Sequence, residues 1–595
     1  MVKGIQNKYL QIDLDTKTSR SGIPPDDLFT EYLGGKGLGL KIMMDLEATS
    51  VDPYDAANPL VFVTGPFTGT PVQTSARSAL VTLSPLTGTF LDSHVGGHFG
   101  PMIKRAGYDY IIITGKSEQP VVMVVTPEGV AFEDASSLWG RGIFDTEKNL
   151  KAKYPGSRIA SIGPAGENRV RFACIGTDYY RQFGRGGAGA VMGSKNLKAV
   201  VVEGNEKVEF FNRDRFVELN TRLTGDIKDH PNRAKRYDLG TNMWIRMGQE
   251  DGHFLPTRNF QDVHFEDYEQ LTSESMKKVL NWKSVGCFNC IIQCSKMAKW
   301  KDYELEGPEY ETTAYLGSGC GIGDAESVAL ANYICDDLGL DTISAGVVTS
   351  FAMEAFEKGI LSPQECDGLE LNFGNARSQA SLLKKIAERD GLGDLLAEGT
   401  RIASEKIGKG SEYFAIQTAG MELSGVNIKG CASMGLTLAT SDFASHTRFW
   451  SASDEMAGNL TFENTPEYVK KGQDEVNARN SLIVCDFLPF GFDRLAPIYE
   501  SLTGIRMDES RLMEIGEKIS NLTRMINIRN GRTRRDDSLP QRFFKEKHLA
   551  GIFKGEFMSP EIFSKWLDMY YRSRGWDSEG VPTDATLKRL GVNRL

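Results

Sequence analysis

Long apolar runs are missing from this sequence of 595 residues. Nowhere do about 18 uncharged apolar residues follow one another, which is the length that a membrane-spanning helix needs. The N-terminal segment MVKGIQNKYLQIDLDTKTSR also lacks the apolar core of a signal peptide. These absences predict a cytoplasmic protein that does not act at a membrane.

Dense clusters of basic residues are also missing, apart from the short stretch 532–535. The formal net charge is −10 and the isoelectric point is near 5.5. Nucleic acid is therefore a poor candidate partner, because proteins that bind it usually present a basic surface. The acidic balance is easier to reconcile with a small basic carrier or a neutral substrate.

Cysteine is scarce: nine residues are spread over the whole chain, and the number is odd. This pattern is typical of a reducing compartment and not of a disulfide framework. Hydrophobic residues make up 40% and charged residues 25%, which is ordinary for a globular protein with a well-supplied core. A local group of cysteines in such a chain therefore indicates a metal site or catalysis.

The composition changes about one third of the way along the chain. The first third is rich in glycine and in short β-branched runs such as LVFVTGPFTGT and LKAVVVEG, which predict strands. Longer segments with helical periodicity follow, such as SQASLLKKIAERDGLGDLLAEGTRIASEKIG. The sequence predicts an α+β fold, with a mostly-β domain over residues 1–207 and two mostly helical domains over 208–410 and 411–595.

Three cysteines lie three and four residues apart in the segment VGCFNCIIQC: Cys287, Cys290 and Cys294. If the second half of this segment is helical, Cys290 and Cys294 lie one turn apart and Cys287 approaches from the preceding loop. A 4Fe-4S cluster normally takes four thiolates, so a fourth must come from elsewhere in the chain. Structural zinc and buried packing thiols are the alternatives, although no histidine or cysteine follows at the spacing of a zinc finger.

Glycine-rich and acidic motifs occur along nearly the whole chain. They are GPFTGT (65–70), SPLTGT (84–89), GGHFGPMIKRAGYD (96–109), SIGPAGENRV (161–170), GRGGAGAVMGSKNLKAV (184–200), EGPEYE (306–311), DDLGLDTIS (336–344) and RDDSLPQRF (535–543). In these motifs the chain resembles the aldehyde:ferredoxin oxidoreductases, a family that includes the catalytic subunits of class II benzoyl-CoA reductases. The resemblance implies that family's fold, a bis-pyranopterin cofactor of tungsten or molybdenum, one 4Fe-4S cluster, and a Mg²⁺ ion that links the pterin phosphates.

The resemblance also implies residue roles. A bis-pterin cofactor needs glycine backbone for close approach, arginine for phosphate and carboxylates for ring N–H groups. Arg77 would lie between pterin and cluster, where the alternative is a solvated surface arginine, and Cys485 would be the fourth cluster ligand. The other implied cofactor-binding residues are His94, Gly96, Gly97, Arg185, Gly186, Gly187, Asp336, Leu340, Asp341, Asn480 and Val484. Without the resemblance, the segment 336–341, which contains these acids, would be interpreted as a helix end followed by a turn.

Three residues depart from the family's pattern. In the second pterin motif, which ends at Cys485, Asn480 replaces an aspartate and Ile483 replaces a glycine. Asparagine forms hydrogen bonds but offers no full carboxylate, so one pterin contact is weakened. His94 stands where the family usually has an asparagine near the magnesium, and this ion prefers oxygen ligands.

Oxidation of an aldehyde to an acid removes two electrons and two protons, so the site needs a general acid or base. By the resemblance, Glu311 would transfer a proton and His446 would orient or polarise the carbonyl. The alternatives are that Glu311 is a surface acid and that His446 is a structural histidine. His253 and Glu250 are weaker candidates for the catalytic role. Cys320, on a glycine-rich turn nine residues after Glu311, is a candidate tungsten ligand or a buried packing residue.

The first hypothesis for function is oxidation of an aldehyde, a small-molecule substrate, with electrons passed through the cluster to ferredoxin or an iron-sulfur subunit. The second is low-potential reduction of an aryl- or enoyl-CoA thioester in a multi-subunit complex. The third is a non-catalytic electron-transfer subunit with degraded pterin binding. We expect a homodimer or a hetero-oligomer; Leu330 and Tyr333 replace the family's interface iron motif, so no bridging iron is predicted.

Overall fold

The N-terminal third forms two six-stranded sheets, as its β-branched runs predict. The computed structural model describes residues 1–594. The first sheet contains β1 (Tyr9–Asp13), β2 (Thr18–Gly22), β3 (Leu60–Val63), β4 (Ser78–Leu83), β5 (Phe90–Val95) and β6 (Tyr110–Thr114). The second contains β7 (Val121–Thr126), β8 (Gly129–Asp134), β9 (Arg158–Ser161), β10 (Ile175–Thr177), β11 (Arg181–Phe183) and β12 (Leu197–Val202).

Both sheets are mixed. The spatial orders are β2-β1-β6-β3-β4-β5 and β11-β10-β9-β12-β7-β8, and each contains one parallel pair, β1 with β6 and β7 with β12. Strands β3, β4 and β12 are buried along their whole length, which is expected where a sheet is covered on both faces. The edge strand β2 has the polar sequence TSRSG and is exposed, which protects that edge from pairing with other chains.

Six helices accompany these sheets: α1 (Asp27–Tyr32), α2 (Gly35–Asp45), α3 (Phe99–Arg105), α4 (Ile143–Lys153), α5 (Pro164–Glu167) and α6 (Ala188–Ser194). Helix α2 lies against the first sheet at very short range, since a Cβ atom added at Gly39 would lie 2.4 Å from Cγ2 of Val81 in β4. This close approach places α2 between the sheet and the helices that follow.

The remaining two thirds are mostly helical, which confirms the predicted α+β fold. The helices are α7 (Arg213–Asp229), α8 (Pro231–Leu239), α9 (Met243–Glu250), α10 (Tyr268–Leu271), α11 (Ser273–Leu280), α12 (Tyr310–Leu316), α13 (Ala325–Leu338), α14 (Thr342–Glu357), α15 (Ala376–Glu388), α16 (Leu392–Leu396), α17 (Thr400–Ile407), α18 (Ala432–Thr440), α19 (Ala452–Met456), α20 (Thr465–Leu482), α21 (Phe492–Thr503), α22 (Glu509–Arg529), α23 (Gln541–Lys545), α24 (Pro560–Arg574) and α25 (Asp584–Arg589). Short 3-10 turns occupy Ser318–Cys320, Ser411–Phe414, His446–Arg448 and Gly551–Phe553. Within residues 1–594, no helix combines the length and the apolar character needed to cross a lipid bilayer.

A small three-stranded sheet in this part carries the cysteine motif. It consists of β13 (Lys283–Val285), β14 (Ser295–Trp300) and β15 (Tyr303–Glu306), and β16 (Gln417–Thr418) pairs with β17 (Met421–Glu422) farther along the chain. The condition of a helical second half of the motif is not met, because residues 286–294 form an irregular loop between β13 and β14. Asn289 and Gln293 have φ angles of 51° and 48°, values that interrupt a helix.

Helix α20 joins the helical part to the first sheet through α2. The backbone N–H of Gly37 donates to Oγ of Ser481 at 3.0 Å, and a Cβ atom added at Gly35 would lie 2.2 Å from the carbonyl oxygen of Asn480. Only glycine permits this approach. The end of α20, with Asn480 and the following Cys485, is thereby fixed beside the first sheet.

The close contact between α20 and α22 gives a stability test. A Cβ atom added at Gly516 in α22 would lie 2.0 Å from the carbonyl oxygen of Asp474 in α20. We therefore expect Gly516→Ala to destabilise the protein by about 2 kcal/mol, since overpacking typically costs about 1–3 kcal/mol.

Gly225→Ala is the matched control, because Gly225 lies in helix α7 with nothing within 4 Å of the added atom. There alanine should stabilise the helix by up to about 1 kcal/mol. Thermal unfolding measures both, and a Gly516→Ala midpoint at or above wild type would contradict the packing.

Candidate cofactor and active site

A cavity of about 600 Å³ lies where the first sheet meets the helical part. Most of the side chains predicted from the sequence line it. They are Arg77, His94, Gly96, Arg185, Cys287, Cys290, Cys294, Glu311, Asp336, Leu340, Asp341, His446, Asn480 and Cys485. Residues from distant parts of the chain therefore meet around one space large enough for a sizeable cofactor.

One end of the cavity is formed by the four cysteines, all half-buried and none in a disulfide. The backbone N–H of Cys290 donates to the carbonyl of Cys287 at 3.1 Å, and that of Cys485 donates to the carbonyl of Thr74 at 3.0 Å. Cys485 is thus tied to the first sheet beside the cysteine loop. Gly96 faces Cys287 so closely that an added Cβ atom would lie 2.9 Å from its Sγ.

Two arginines compensate the charge that thiolates would bring to this end. Burial raises the pKa of the Cys485 thiol to about 12, and the nearby Arg77 acts in the opposite direction. Burial also raises the pKa of Cys294 well above its usual value, while Arg181 lowers it. Arg77 donates to Oδ1 of Asp486 at 2.7 Å. Deprotonated thiols here need a cationic partner, which bound iron together with these guanidinium groups would supply.

The donor set fits an iron-sulfur cluster. Within residues 1–594, no three His, Cys, Asp or Glu side chains are close enough to hold a single metal ion. A 4Fe-4S cluster does not need such a group, because each thiolate binds a different iron atom. Four cysteines that share one end of a cavity with Arg77 and Arg181 match that requirement.

Asp341 and Asp336 line the cavity in different surroundings. Asp341 begins helix α14: its carboxylate accepts from the N–H of Ile343 at 3.1 Å, from Oγ of Ser344 at 2.9 Å and from Nε of Arg185 at 3.2 Å. Burial raises the pKa of Asp336 far above its usual value, and the neighbouring Glu306 adds to this shift. A carboxyl that keeps its proton both donates and accepts, which suits a heterocycle with mixed ring groups.

The glycines near this region act mainly through the backbone. Gly97, Gly186 and Gly187 do not line the cavity. Gly186 and Gly187 have φ angles of 86° and 83°, and an added Cβ atom at Gly187 would lie 2.0 Å from the carbonyl oxygen of Arg171. These glycines therefore permit the turn that holds Arg185, which donates to the carbonyls of Ala444 and Glu422 at 2.8 and 2.6 Å.

Val484 and Cys320 also lie outside the cavity lining. Val484 is buried, and its N–H donates to the carbonyl of Arg479 at 3.0 Å. The Cys320 side chain is fully buried with Sγ 3.6 Å from the carbonyl oxygen of Gly346, and burial raises its pKa to about 12. These are the surroundings of a packing residue, so its position does not favour the tungsten-ligand role.

A buried ion network forms part of one wall of the cavity, which Asp92 and Arg448 line. Arg448 makes a two-pronged contact with Asp92, at 3.0 and 2.7 Å, and its Nε lies 2.8 Å from Oδ1 of Asp442. Lys36 of α2 lies 3.2 Å from Asp92 and also pairs with Asp442. Burial alone would raise the pKa of Asp92, but Arg448 and Lys36 outweigh it and hold that pKa far below its usual range.

His94 extends this network into the cavity. Its Nε2 lies 2.9 Å from Oδ2 of Asp92, and its Nδ1 has no hydrogen-bond partner within residues 1–594. Burial lowers the pKa of His94 although Asp92 acts against this shift. A neutral ring that donates from Nε2 to Asp92 leaves Nδ1 as an acceptor, which suits an N–H or O–H donor and not the oxygen-preferring magnesium.

Glu311 and His446 form a pair at the other side of the cavity. Nδ1 of His446 lies 3.0 Å from Oε1 of Glu311, close enough for an ion pair but not aligned for a regular hydrogen bond. Glu311 lies in the first turn of α12, and its Oε2 accepts from the N–H of Gly425 at 2.8 Å. Burial opposes protonation of His446, but the carboxylate outweighs it and raises the pKa of the ring above its usual value.

Aromatic side chains close this side of the cavity, and the sequence did not identify them. Trp244, Tyr310, Phe449 and Trp450 all line it. The Trp450 ring lies 4.9 Å from Trp244 and 6.2 Å from His446, measured between ring centres. No motif connects these residues, so only the fold could reveal this apolar wall. Arg181 and Asp486 were missed for the same reason.

The two weaker candidates lie elsewhere. Glu250 accepts from Arg246 at 2.9 Å and from the Tyr268 hydroxyl at 2.6 Å. The His253 ring contacts the ring of His264, with centres 4.9 Å apart. Neither lines the cavity.

Two family models, curated relatives and a solved structure are similar to this chain. The family models "Aldehyde ferredoxin oxidoreductase, N-terminal domain" and "Aldehyde ferredoxin oxidoreductase, domains 2 & 3" match residues 9–204 and 218–592. The tungsten-containing aldehyde ferredoxin oxidoreductase of Pyrococcus abyssi is 35% identical over 613 aligned residues, with 100% of both chains covered. A Pyrococcus furiosus protein named aliphatic sulfonate oxidoreductase, WOR-like subunit, is 30% identical, with 98% of this chain and 96% of that protein covered. A chain of the solved active site complex BamBC of benzoyl coenzyme A reductase with 1,5-dienoyl-CoA matches with a TM-score of 0.87 and 26% identity, covering 100% of this chain and 98% of that one.

The Glu311–His446 pair gives a test by titration. Because the carboxylate favours the protonated ring, replacing it by an amide in Glu311→Gln should lower the His446 pKa, so that the ring loses its proton at a lower pH. NMR titration of ¹³C-histidine-labelled protein measures this shift, with the signal assigned from a His446→Gln variant. Glu250→Gln, which removes a carboxylate outside the cavity, should leave the His446 titration unchanged. An unshifted ring in Glu311→Gln would contradict the pair.

Proposed function

We propose, because the chain belongs to the aldehyde ferredoxin oxidoreductase family, that it oxidises an aldehyde to its carboxylic acid and passes the electrons to ferredoxin. The family that the motifs predicted is thereby confirmed. One observation carries the proposal for this chain: four cysteines, the ring-binding acids and the Glu311–His446 pair all line a single cavity. A catalytic end and an electron-transfer end are thus joined without an intervening wall.

The cavity has residues suited to both cofactors of this family. Cys287, Cys290, Cys294 and Cys485 would hold the 4Fe-4S cluster. Asp336, Asp341 and Asn480 would bind pterin ring groups, Arg185 would bind phosphate or ring oxygen, and Arg77 would lie between pterin and cluster. When bound, the tungsten pterin supplies two-electron chemistry and the cluster passes the electrons on singly. The buried, unpartnered Nδ1 of His94 is a nitrogen ligand and does not support a side-chain contact to magnesium.

The protein's own groups control the substrate and its protons. The aldehyde carbonyl would lie against the apolar wall of Trp244, Tyr310 and Trp450, which excludes bulk water. His446, kept protonated by Glu311, would donate from Nε2 to the carbonyl oxygen and polarise it. Glu311 would accept one of the two protons that are released as the carbon gains an oxygen from water, since its Oε1 is next to the ring and has no regular hydrogen-bond partner.

Reduction of a CoA thioester is the second candidate. The match with the benzoyl coenzyme A reductase complex favours it, because that structure was solved with a dienoyl-CoA bound. The burial of Cys320 away from the cavity removes one feature expected to accompany that chemistry. A non-catalytic role has less support, since the cavity keeps its acids and its cysteines despite Asn480, Ile483 and His94.

Anaerobic purification followed by metal analysis and a substrate screen tests the proposal. We expect tungsten or molybdenum and about four iron atoms per chain, with reduction of a low-potential dye that depends on added aldehyde. Aryl-CoA and enoyl-CoA thioesters are compared in the same assay. Turnover of thioesters without turnover of aldehydes would replace the first function by the second, and protein without tungsten or molybdenum would overturn both.

Two cysteine variants test the assignment of ligands. Cys485→Ser should lower the iron content and abolish the cluster's EPR signal in reduced protein, because a serine hydroxyl is a poor substitute for a thiolate. Cys320→Ser is the matched change at a cysteine outside the cavity, and it should retain iron and tungsten. Selective loss of tungsten from Cys320→Ser, with iron unchanged, would instead make Cys320 a metal ligand.

A further inference from the structure

The charge around the cysteine loop is opposite to that of the whole chain. The formal net charge is −10, yet residues 275–301 contain no aspartate or glutamate. The same segment contains six lysines: Lys277, Lys278, Lys283, Lys296, Lys299 and Lys301. Three of them pair with acids outside the segment, Lys277 with Asp238, Lys299 with Glu304 and Lys301 with Glu326. The other three form no ion pair within residues 1–594, so the segment that carries the cysteine loop is locally basic.

Helix α8 adds to this basic region and lies directly on the cysteine loop. Nε of Arg233 donates to the carbonyl of Ile291, which lies between Cys290 and Cys294, at 3.1 Å. Nζ of Lys296, just after the loop, donates to the carbonyls of Arg236 and Tyr237 at 3.2 and 2.9 Å. No residue of α8 is fully buried, so this helix presents most of its surface to solvent at the edge of the cluster site.

The positive charges of α8 are free to act on a partner. Within residues 1–594, Arg233, Lys235 and Arg236 form no ion pair, whereas Asp238, the helix's one acid, pairs with Lys277 at 3.0 Å. The Arg236 guanidinium lies over the ring of Phe487, 4.1 Å from its centre. Phe487 is half-buried two residues after Cys485 and lines the cavity. A basic rim with an aromatic contact thus adjoins the fourth cysteine.

We propose that α8, the cysteine loop and Phe487 form the docking surface for a small acidic one-electron carrier protein, and this rests on the function proposed above. Each aldehyde oxidised would load two carrier molecules, each with one electron from the cluster. A transient redox complex buries little area and depends on charge complementarity for its rate of encounter. Steering depends on the local field, because charges farther away than about 8 Å are largely screened at physiological ionic strength.

The charge around the cysteine loop reverses the expectation from net charge. An acidic chain is easier to reconcile with a basic carrier, but the acids that make the total negative lie outside the basic segment at the cysteine loop. A carrier docked on α8 and Phe487 would lie beside the cysteine loop and close to Cys485, which favours electron transfer because its rate falls steeply with distance. The sign of the charge beside the cysteine loop, and not the net charge of the chain, therefore determines which carrier protein binds there.

A double charge reversal with a matched control tests the surface. Lys235→Glu with Lys283→Glu changes two exposed lysines, one on α8 and one on β13, that form no ion pair within the described chain. The control, Arg377→Glu with Lys384→Glu, changes the charge by the same amount at two exposed residues of α15, which contributes nothing to the cavity lining. None of the four residues belongs to the proposed cofactor or substrate site.

The readout is kcat/KM of the holoenzyme for a purified acidic 4Fe-4S ferredoxin, with aldehyde as reductant. We expect the Lys235/Lys283 variant to lose at least about tenfold at low salt, and the loss to disappear near 1 M salt, where the screening length is about 3 Å. The Arg377/Lys384 variant should stay within about twofold of wild type. Basic cytochrome c, used as a second acceptor, should be reduced faster by the Lys235/Lys283 variant than by wild type.

Two outcomes separate this inference from the proposed function. Equal ferredoxin rates in the two double variants, or a loss that persists at high salt, would overturn the docking surface. Absence of aldehyde-dependent reduction of a small dye by the wild-type protein would instead overturn the proposed function. Both double variants should reduce that dye at the wild-type rate, because the dye does not need a protein docking site.

Discussion

The buried network of Lys36, Asp92, Asp442 and Arg448 is the constraint on which the site depends. Two positive and two negative side chains meet at the cavity wall, and they come from α2, β5 and the segment that follows α18. Removing one member would leave an unpaired buried charge, which typically costs about 3–5 kcal/mol. The segment after α18 has little regular structure, so these ion pairs fix it. His446 lies two residues before Arg448, and its position next to Glu311 follows from this anchor.

The same network orients the opposite side of the cavity. Asp92 uses its carboxylate for Arg448, Lys36 and the ring of His94, so these charges set the His94 tautomer and leave its Nδ1 without a partner. Arg77 and Arg181 lie at the cluster end, paired with Asp486 and Glu306, and a carboxylate–imidazole pair lies at the substrate end. A cofactor with phosphates and anionic sulfur between these ends meets compensating charge on one side and proton-transfer groups on the other.

Much of the fold and most of the site could be predicted from the sequence, and the failures share a physical cause. The β-branched runs predicted the strands because they encode burial locally, and the cysteine spacing with its family motif placed Cys485 in the cavity. The cysteine spacing could not decide between a helix and a loop for residues 286–294, because spacings of three and four fit both. Arg181 and the Trp244–Trp450 wall lie outside any motif, since their role depends on contacts between residues far apart in sequence. Gly186, Gly187 and Val484 fall inside the motifs, yet they shape the backbone behind the cavity wall.

The structure shows how the chain accommodates Ile483 in the second pterin motif. Ile483 stands where the family has glycine, and it keeps the left-handed conformation that glycine favours, with φ of 63° at the end of α20. That conformation costs a non-glycine residue about 1–2 kcal/mol. The Ile483 side chain is fully buried against α2, near Gly35 and Gly65, and complete burial of an isoleucine contributes about 1.5–3 kcal/mol. Burial therefore offsets the strain, the turn that delivers Cys485 to the cluster end is retained, and Asn480 still faces the cavity from the last turn of the helix. The substitution strengthens the packing between α20 and the first sheet and leaves the chemistry of the site to the residues around it.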